Sequence, residues 1–296
     1  MSGVDLSQNL EDVTVAEIRA AFVEHQVIFF RDQTLTPDQQ LAFGRRFGPL
    51  NIHPYVAGMA DHPEVMEVIK EPADRVNFGG GWHSDMSFLE HPSIASILYA
   101  VQLPDYGGDT LFASQAAAYE ALTPGLRATL ETLNAVHSAG REYSSSGHSA
   151  QKRSSMNVAE AEGATGEFIH PVVLTHPETG RKALYVNPAF TMKIEGWSTR
   201  ESSRCSTSCS STAGASGSRR GSSGRRARWP LGQPLGLALC PQRLSRAAPH
   251  APGDRRRRSR ALRGRDASGA RLVRLIRTSP RTSLPGCNCH SERRAT

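Results

Sequence analysis

Gly81-Trp82-His83-Ser84-Asp85-Met86-Ser87-Phe88 is the stretch on which the reading of this chain turns. On an extended segment, residues i and i+2 face one way, so His83 and Asp85 project together. An imidazole beside a carboxylate supplies two of the three ligands of the facial triad that holds non-haem Fe(II) and leaves positions open. Taken alone the pair is a weak signal, because His-x-Asp arises by chance and serves equally as a surface ion pair. Its neighbours add weight. Gly107-Gly108-Asp109-Thr110 is a tight turn that returns a hydroxyl toward the sheet. His170-Pro171-Val172-Val173 follows, then the run from Thr175 to Asn187, and finally Phe190-Thr191.

Around these motifs the first 202 residues have the punctuation of a folded α+β domain with a β-sandwich at its centre. Val15, Ile18, Ala21 and Phe22 are spaced for one face of a helix running to His25. Val27 to Phe30 is expected as a short buried strand. Thr36-Pro37-Asp38-Gln39 combines an N-cap, a proline in the first turn and a glutamine three residues on, which predicts a helix to about Phe47. Strands are expected at Val65 to Ile69 and Ile94 to Val101, and short helices at Ser114 to Leu122 and Thr123 to Leu133. Val172 to Leu174 and Ala183 to Val186 flank Pro177-Glu178-Thr179-Gly180, which predicts a hairpin. Ser144 to Gly166 is poor in apolar residues and reads as an excursion on the surface.

Charge divides the chain of 296 residues in two. After Ser203 there are 21 arginines and three acidic residues, whereas the earlier part holds 14 basic and 25 acidic ones, so formal charges of +18 and −11 hide behind the overall +7. All five cysteines, Cys205, Cys209, Cys240, Cys287 and Cys289, lie in the basic part. No apolar run reaches eighteen residues and no leader of the secretory type opens the chain, so neither a membrane span nor export is expected. A cytoplasmic enzyme is the default for a domain without cysteine.

The ordered motifs resemble the taurine dioxygenase / 2,4-dichlorophenoxyacetate dioxygenase (TauD/TfdA) family of Fe(II)- and 2-oxoglutarate-dependent oxygenases, from about Gly3 to Ser202. The resemblance implies a double-stranded β-helix, or jelly roll, with flanking helices and the metal at its mouth. It implies that His83 and Asp85 are the first two metal ligands and that Thr110 binds a carboxylate of 2-oxoglutarate. His53, Met86 and Phe190 match positions of the substrate pocket. The implied reaction consumes O2 and 2-oxoglutarate and hydroxylates a small anionic organic substrate: a sulfonate, a sulfate ester or an aryloxy acid. Gly79 and Val56 replace an asparagine and a tyrosine of the taurine enzyme, which disfavours taurine itself, since a sulfonate would lose hydrogen bonds at both. His91, His137, His148, His170 and His176 read as loop or structural histidines. The start at Met1 lies near the family's usual interior, so an N-terminal strand is expected to be missing.

The resemblance stops at Glu201-Ser202. Residues 203–296 read literally as a basic, low-complexity, disordered tail in which Arg255 to Arg258 would attract anions and Cys287-Asn288-Cys289-His290 is an isolated cluster without the second pair a structural zinc needs. A one-nucleotide shift of GC-rich codons for Leu231 to Asp254 gives WDNRSVWHYAPNDYHGQRRMHRVT, continued through Arg258 as VAGD. That string resembles the family's C-terminal signature, with the third metal histidine encoded across the codon of Ala238. A two-nucleotide shift of Ser203 to Thr212 gives ALLDFLFEH, which resembles the helix that follows the family's Glu-Ser. The expectation is therefore a jelly roll left incomplete by loss of its C-terminal strands, inactive as written. The rival is a non-catalytic product whose arginines hold nucleic acid without specificity, told apart by salt-sensitive binding. No specific nucleic acid and no membrane are expected as partners, and the oligomeric state is open.

Overall fold

A computed structural model describes residues 3–71, 74, 78, 81–103, 110–144, 164, 166–203, 220–221, 238–241 and 271–279. The architecture is mixed α/β. Helix α1 (Asp12–His25) buries Val15, Ile18 and Phe22, the face its spacing predicts. Helix α2 (Pro37–Arg45) opens with a complete capping box: the Thr36 hydroxyl accepts from the Gln39 N–H while the Gln39 side chain accepts from the Thr36 N–H. Both helices close over an apolar cluster that includes Leu6, Ile28, Phe30, Leu41, Phe43 and Phe47. Val27 to Phe30 buries alternate residues as a strand would, yet no described strand pairs with it, so it remains extended chain rather than part of a sheet.

The strands that matter for the site are β1 (Met66–Lys70), β2 (Trp82–His83), β3 (Ala95–Gln102) and β4 (Leu111–Ser114). They alternate between two sheets, β1 and β3 in one, β2 and β4 in the other. A further strand fills the gap between each pair. Ala238–Pro241 (β11) lies between β4 and β2, and Arg271–Thr278 (β12) lies between β1 and β3. A two-residue strand, Arg220–Gly221 (β10), pairs with the outer edge of β4. A third sheet holds β5 (Asn134–Ser138) between β6 (Glu167–Pro171) and β9 (Thr191–Ile194), and β7 (Val173–Thr175) pairs with β8 (Lys182–Leu184) in the expected hairpin. Helices α3 (Gln115–Glu120) and α4 (Pro124–Leu130) join a cluster with Leu130, Ala135, Val172, Leu184 and Ile194. Residues 145–163 and 165 of the expected excursion and 107–109 of the glycine turn lie outside the described residues.

β12 departs from the expectation that the segment after Ser203 contributes no order. It is antiparallel to both neighbours, with Val273 opposite Val68 on one side and Ile276 opposite Ile97 on the other. Val273, Leu275 and Ile276 are at most 3% exposed. The physical reason is that β1 and β3 would otherwise present open edges and uncovered apolar faces, and a strand with apolar residues at 272, 273, 275 and 276 satisfies both. The seat is tight. A Cβ on Gly48 would stand 2.3 Å from the Ser279 backbone oxygen, and the Ser279 N–H donates to the Pro49 carbonyl at 2.7 Å.

Candidate active site

The loop Ser84 to Phe88, entered from β2, is buried residue by residue. His83 ends β2, and Asp85 lies in the turn that follows rather than on the strand, a correction to the alternation argument. The turn includes Met86 at φ +53°, a left-handed conformation uncommon for a residue with a side chain. The two side chains meet all the same: His83 Nε2 is 3.2 Å from Asp85 Oδ1. The Nδ1–H of His83 donates to the Gly81 carbonyl at 2.9 Å, which leaves the Nε2 lone pair free to face Asp85.

Asp85 Oδ2 is engaged from the other side. The Ser96 hydroxyl donates to it, and the Nε of Arg277 is 3.4 Å away. Ser96 and Arg277 are cross-strand partners in the β3–β12 register, which explains why they converge on one oxygen. Burial alone would raise the Asp85 pKa. The positive charge of Arg277, with the hydrogen bond from Ser96, outweighs burial and holds the carboxyl well below the usual range, so Asp85 is an anion.

An aromatic wall adjoins this pair. Phe190 packs edge-on to His83 with ring centres 6.2 Å apart, and Phe88 packs on Phe190 at 4.7 Å. Tyr55 and Tyr143 stack at 5.1 Å, and His53 stands edge-on to Tyr143 at 5.3 Å. The backbone N–H groups of Tyr55 and Val56 both donate to His53 Nδ1 at 3.1 Å. The ring proton therefore sits on Nε2, which faces the Tyr143 hydroxyl at 3.4 Å. Desolvation, then the charge of Arg277, pushes the His53 pKa down to about 3, so this histidine is neutral at ordinary pH.

Behind the wall, Ser87 is bolted in place. The Asn187 side-chain amide donates to Ser87 Oγ at 3.0 Å, and His137 Nδ1 is 3.2 Å from the same oxygen. Asn187 Oδ1 accepts from the Phe190 N–H at 2.9 Å, so one asparagine ties the Asp85 loop to the Phe190 wall. His137 and His170 are core histidines around Tyr185, and the His176 ring caps the predicted hairpin turn by accepting from the Glu178 and Thr179 N–H groups. These match the structural role expected for them, while His91 is exposed and His148 is outside the described residues.

The fold thus brings His53, His83, Asp85 and Phe190 into one neighbourhood. Met86 is 2% exposed within the same apolar cluster, its sulfur accepting the Ser93 hydroxyl at 3.2 Å. Thr110, 4% exposed, leads into β4 and is separated from β2 by β11, roughly 10 Å at ordinary strand spacing. Gly79 lies outside the described residues. Sequence reading missed four residues that shape the site: Phe88, Tyr143, Ser96 and Arg277. Phe88 closes the motif itself and could have been found there. Tyr143 and Ser96 carry no motif, and Arg277 was hidden among many arginines.

As a test of fit to a metal, two donors about 2.1 Å from one ion at a right angle stand about 3 Å apart, close to the 3.2 Å seen here. The pair fits an edge of a coordination sphere. Among the described residues no group of three His, Cys, Asp or Glu side chains could hold an ion, so the site so described is one donor short.

A mixed α/β scaffold carries a buried His-x-Asp pair beside an aromatic wall, a candidate metal site. The profile of the taurine catabolism dioxygenase TauD, TfdA family matches residues 1–205, and the chain belongs to this family. The chain is 37% identical over 208 residues to an alpha-ketoglutarate-dependent sulfate ester dioxygenase of Pseudomonas putida, covering 68% of this chain and 66% of that protein. It is 33% identical over 207 residues to the (S)-phenoxypropionate/alpha-ketoglutarate-dioxygenase of Sphingobium herbicidovorans, covering 63% and 66%. The alignments thus span just under two thirds of these relatives. A crystal structure of a taurine dioxygenase from Burkholderia xenovorans superposes with a TM-score of 0.69 at 29% identity, covering 94% of this chain and 84% of that one. Enzymes of this family use Fe(II) and 2-oxoglutarate. No helix among the described residues is long and apolar enough to cross a membrane.

Proposed function

We propose that the chain derives from an Fe(II)- and 2-oxoglutarate-dependent dioxygenase acting on a small organic acid, and that as translated it lacks the third metal ligand and is inactive. The observation that carries the first half is the 3.2 Å approach of His83 Nε2 to Asp85 Oδ1 in a buried site of the family's scaffold. The alternation of β1 to β4 between two sheets, with β11 and β12 inserted between them, supports a double-stranded β-helix. The second half draws on register. β11 is the strand seated against β2, with Cys240 opposite His83, and the shifted reading puts its histidine at Ala238 of that same strand.

Fe(II), when bound, supplies the redox chemistry that couples O2 and 2-oxoglutarate to oxidation of the substrate. The chain supplies the rest. Gly81 fixes the His83 tautomer, Arg277 and Ser96 hold Asp85 ionised, and Asn187 with His137 fixes Ser87 in the loop that carries Asp85. Phe88, Phe190, Tyr55 and Tyr143 exclude water and offer flat apolar faces to a substrate with an aryl or alkyl body. His53 holds its proton on Nε2 and can donate one hydrogen bond to an anionic head. Thr110 is assigned to a carboxylate of 2-oxoglutarate. Sulfate esters and aryloxy acids are favoured as substrate classes because the sulfate ester and phenoxypropionate enzymes are relatives.

The test is succinate release with Fe(II), 2-oxoglutarate and a panel of sulfonates, sulfate esters and aryloxy acids. The chain as given should be silent. A chain in which residues 231–258 are replaced by the shifted-frame string should turn over at least one acid. Activity of the unaltered chain, or silence of the repaired one across the panel, contradicts the reading.

A further inference from the structure

Asp85 is shared between two partners that oppose one another. Its Oδ1 faces the His83 imidazole, where a metal ion would be held, and its Oδ2 is taken by Ser96 and Arg277. Arg277 is 6% exposed, brings a guanidinium to the site, and its Nε makes no hydrogen bond among the described residues. The guanidinium therefore stands against Asp85 as a charge rather than as an aligned fork. One carboxylate charge is already balanced by one buried cation. A divalent ion entering between Oδ1 and Nε2 would meet that fixed positive charge across a single carboxylate, in a site from which water is largely excluded. The family profile matches residues 1–205, so Arg277 lies outside the matched part of the chain.

We propose that Arg277 is an internal counter-cation of Asp85 that competes with divalent metal, so that the site is charge-balanced when empty and weak when filled. This rests on the reading of His83 and Asp85 as the metal pair. The charge of Arg277, and not its bulk, is what opposes the ion. Removing that charge strips Asp85 of its balance and leaves an uncompensated buried carboxylate that a metal ion then satisfies.

The experiment uses the full 296-residue chain, with Mn(II) titrated and the free ion read by electron paramagnetic resonance. Arg277→Met should bind Mn(II) about tenfold more tightly than the unaltered chain, or better. Arg277→Lys, which keeps the charge, should stay within about threefold. His83→Ala should abolish the gain in the Arg277→Met background. Near-ultraviolet circular dichroism checks folding. Should Arg277→Met fail to fold, Arg277→Gln, which keeps a donor for Asp85 without the charge, carries the same expectation. No gain in a folded, charge-free variant whose binding still depends on His83 overturns the competition and leaves the metal pair standing. An equal gain in Arg277→Lys shows that bulk rather than charge matters and overturns it as well. A gain that survives His83→Ala places the ion elsewhere and overturns both the competition and the pair.

Discussion

β3 and β12 lie side by side in one sheet, bury residues in the same cores, and could hardly differ more as sequences. β3 reads Ala-Ser-Ile-Leu-Tyr-Ala-Val-Gln, with its first six residues buried. β12 reads Arg-Leu-Val-Arg-Leu-Ile-Arg-Thr, with an arginine at every third position. Because faces alternate along a strand, Arg274 and Arg277 fall on opposite sides. Arg274 reaches toward Glu67 at 3.9 Å and the Leu35 carbonyl, and Arg277 reaches Asp85. The basic strand is tolerated because an acidic body offers a carboxylate on each face. A strand can therefore be specified by the vacancy it fills, where its own pattern would not specify it.

If β12 matters as this comparison holds, removing residues 204–296 should have the largest effect. Val273, Leu275 and Ile276 each contribute about 1.5–3 kcal/mol of burial, and two strand edges would open with them. The shortened chain is expected to lose its cooperative urea transition. A normal transition for residues 1–203 would show that β3 and β1 do without their neighbour.

Acid should come next, and it acts on the other side of the comparison. His53 and His137 are buried and neutral, both depressed to about 3, chiefly by desolvation. The unfolded chain takes up these protons near the ordinary histidine pKa of about 6.5 and the folded chain does not, so stability is intact above that pH and falls below it. Each contributes up to about 1.4 kcal/mol per pH unit between roughly 6.5 and 3. Asp85 has the opposite character: its lowered pKa stabilises the fold above the ordinary carboxylate range and is lost only below it. Unfolding free energies measured at pH 7.5 and 5 should differ by several kcal/mol (~4), and His53→Gln with His137→Gln should remove most of the difference. A flat profile for the unaltered chain contradicts the buried, neutral assignment.

Gly48→Ala gives a smaller effect with a telling sign. If Ser279 is seated where the fold puts it, the new methyl collides with backbone and costs about 1–3 kcal/mol. If that strand end is elsewhere, the substitution should be neutral or stabilise by roughly 0.4–1 kcal/mol. Equilibrium unfolding in urea distinguishes the two.

Much of the fold could be read beforehand, for reasons that are local. The capping box at Thr36 and Gln39, the apolar face of α1 and the turn at Pro177 to Gly180 are short-range chemistry, and each forms where expected. His83 and Asp85 were legible as a pair because two residues in one motif need no tertiary information. The turn that actually brings them together was not, since the left-handed Met86 answers to packing. Ser96 and Arg277 reach the site through sheet register, and Tyr143 from the end of a short helix, Gly140–Tyr143, all across long separations that no spacing within one segment reveals. β12 was hidden for a further reason: its arginines make it look soluble, and partners at Glu67, Leu35 and Asp85 offset their burial.

A double-mutant cycle on Asp85 and Arg277 tests the central claim directly, namely that the late basic strand delivers a cation to the His83–Asp85 pair. Asp85→Asn and Arg277→Met should each strand a buried charge and cost about 3–5 kcal/mol in urea unfolding, while the double variant costs no more than either single one, for a coupling of about 3 kcal/mol or more. Costs that simply add, within about 0.5 kcal/mol, would mean that the two residues do not meet and that the tail leaves the site untouched.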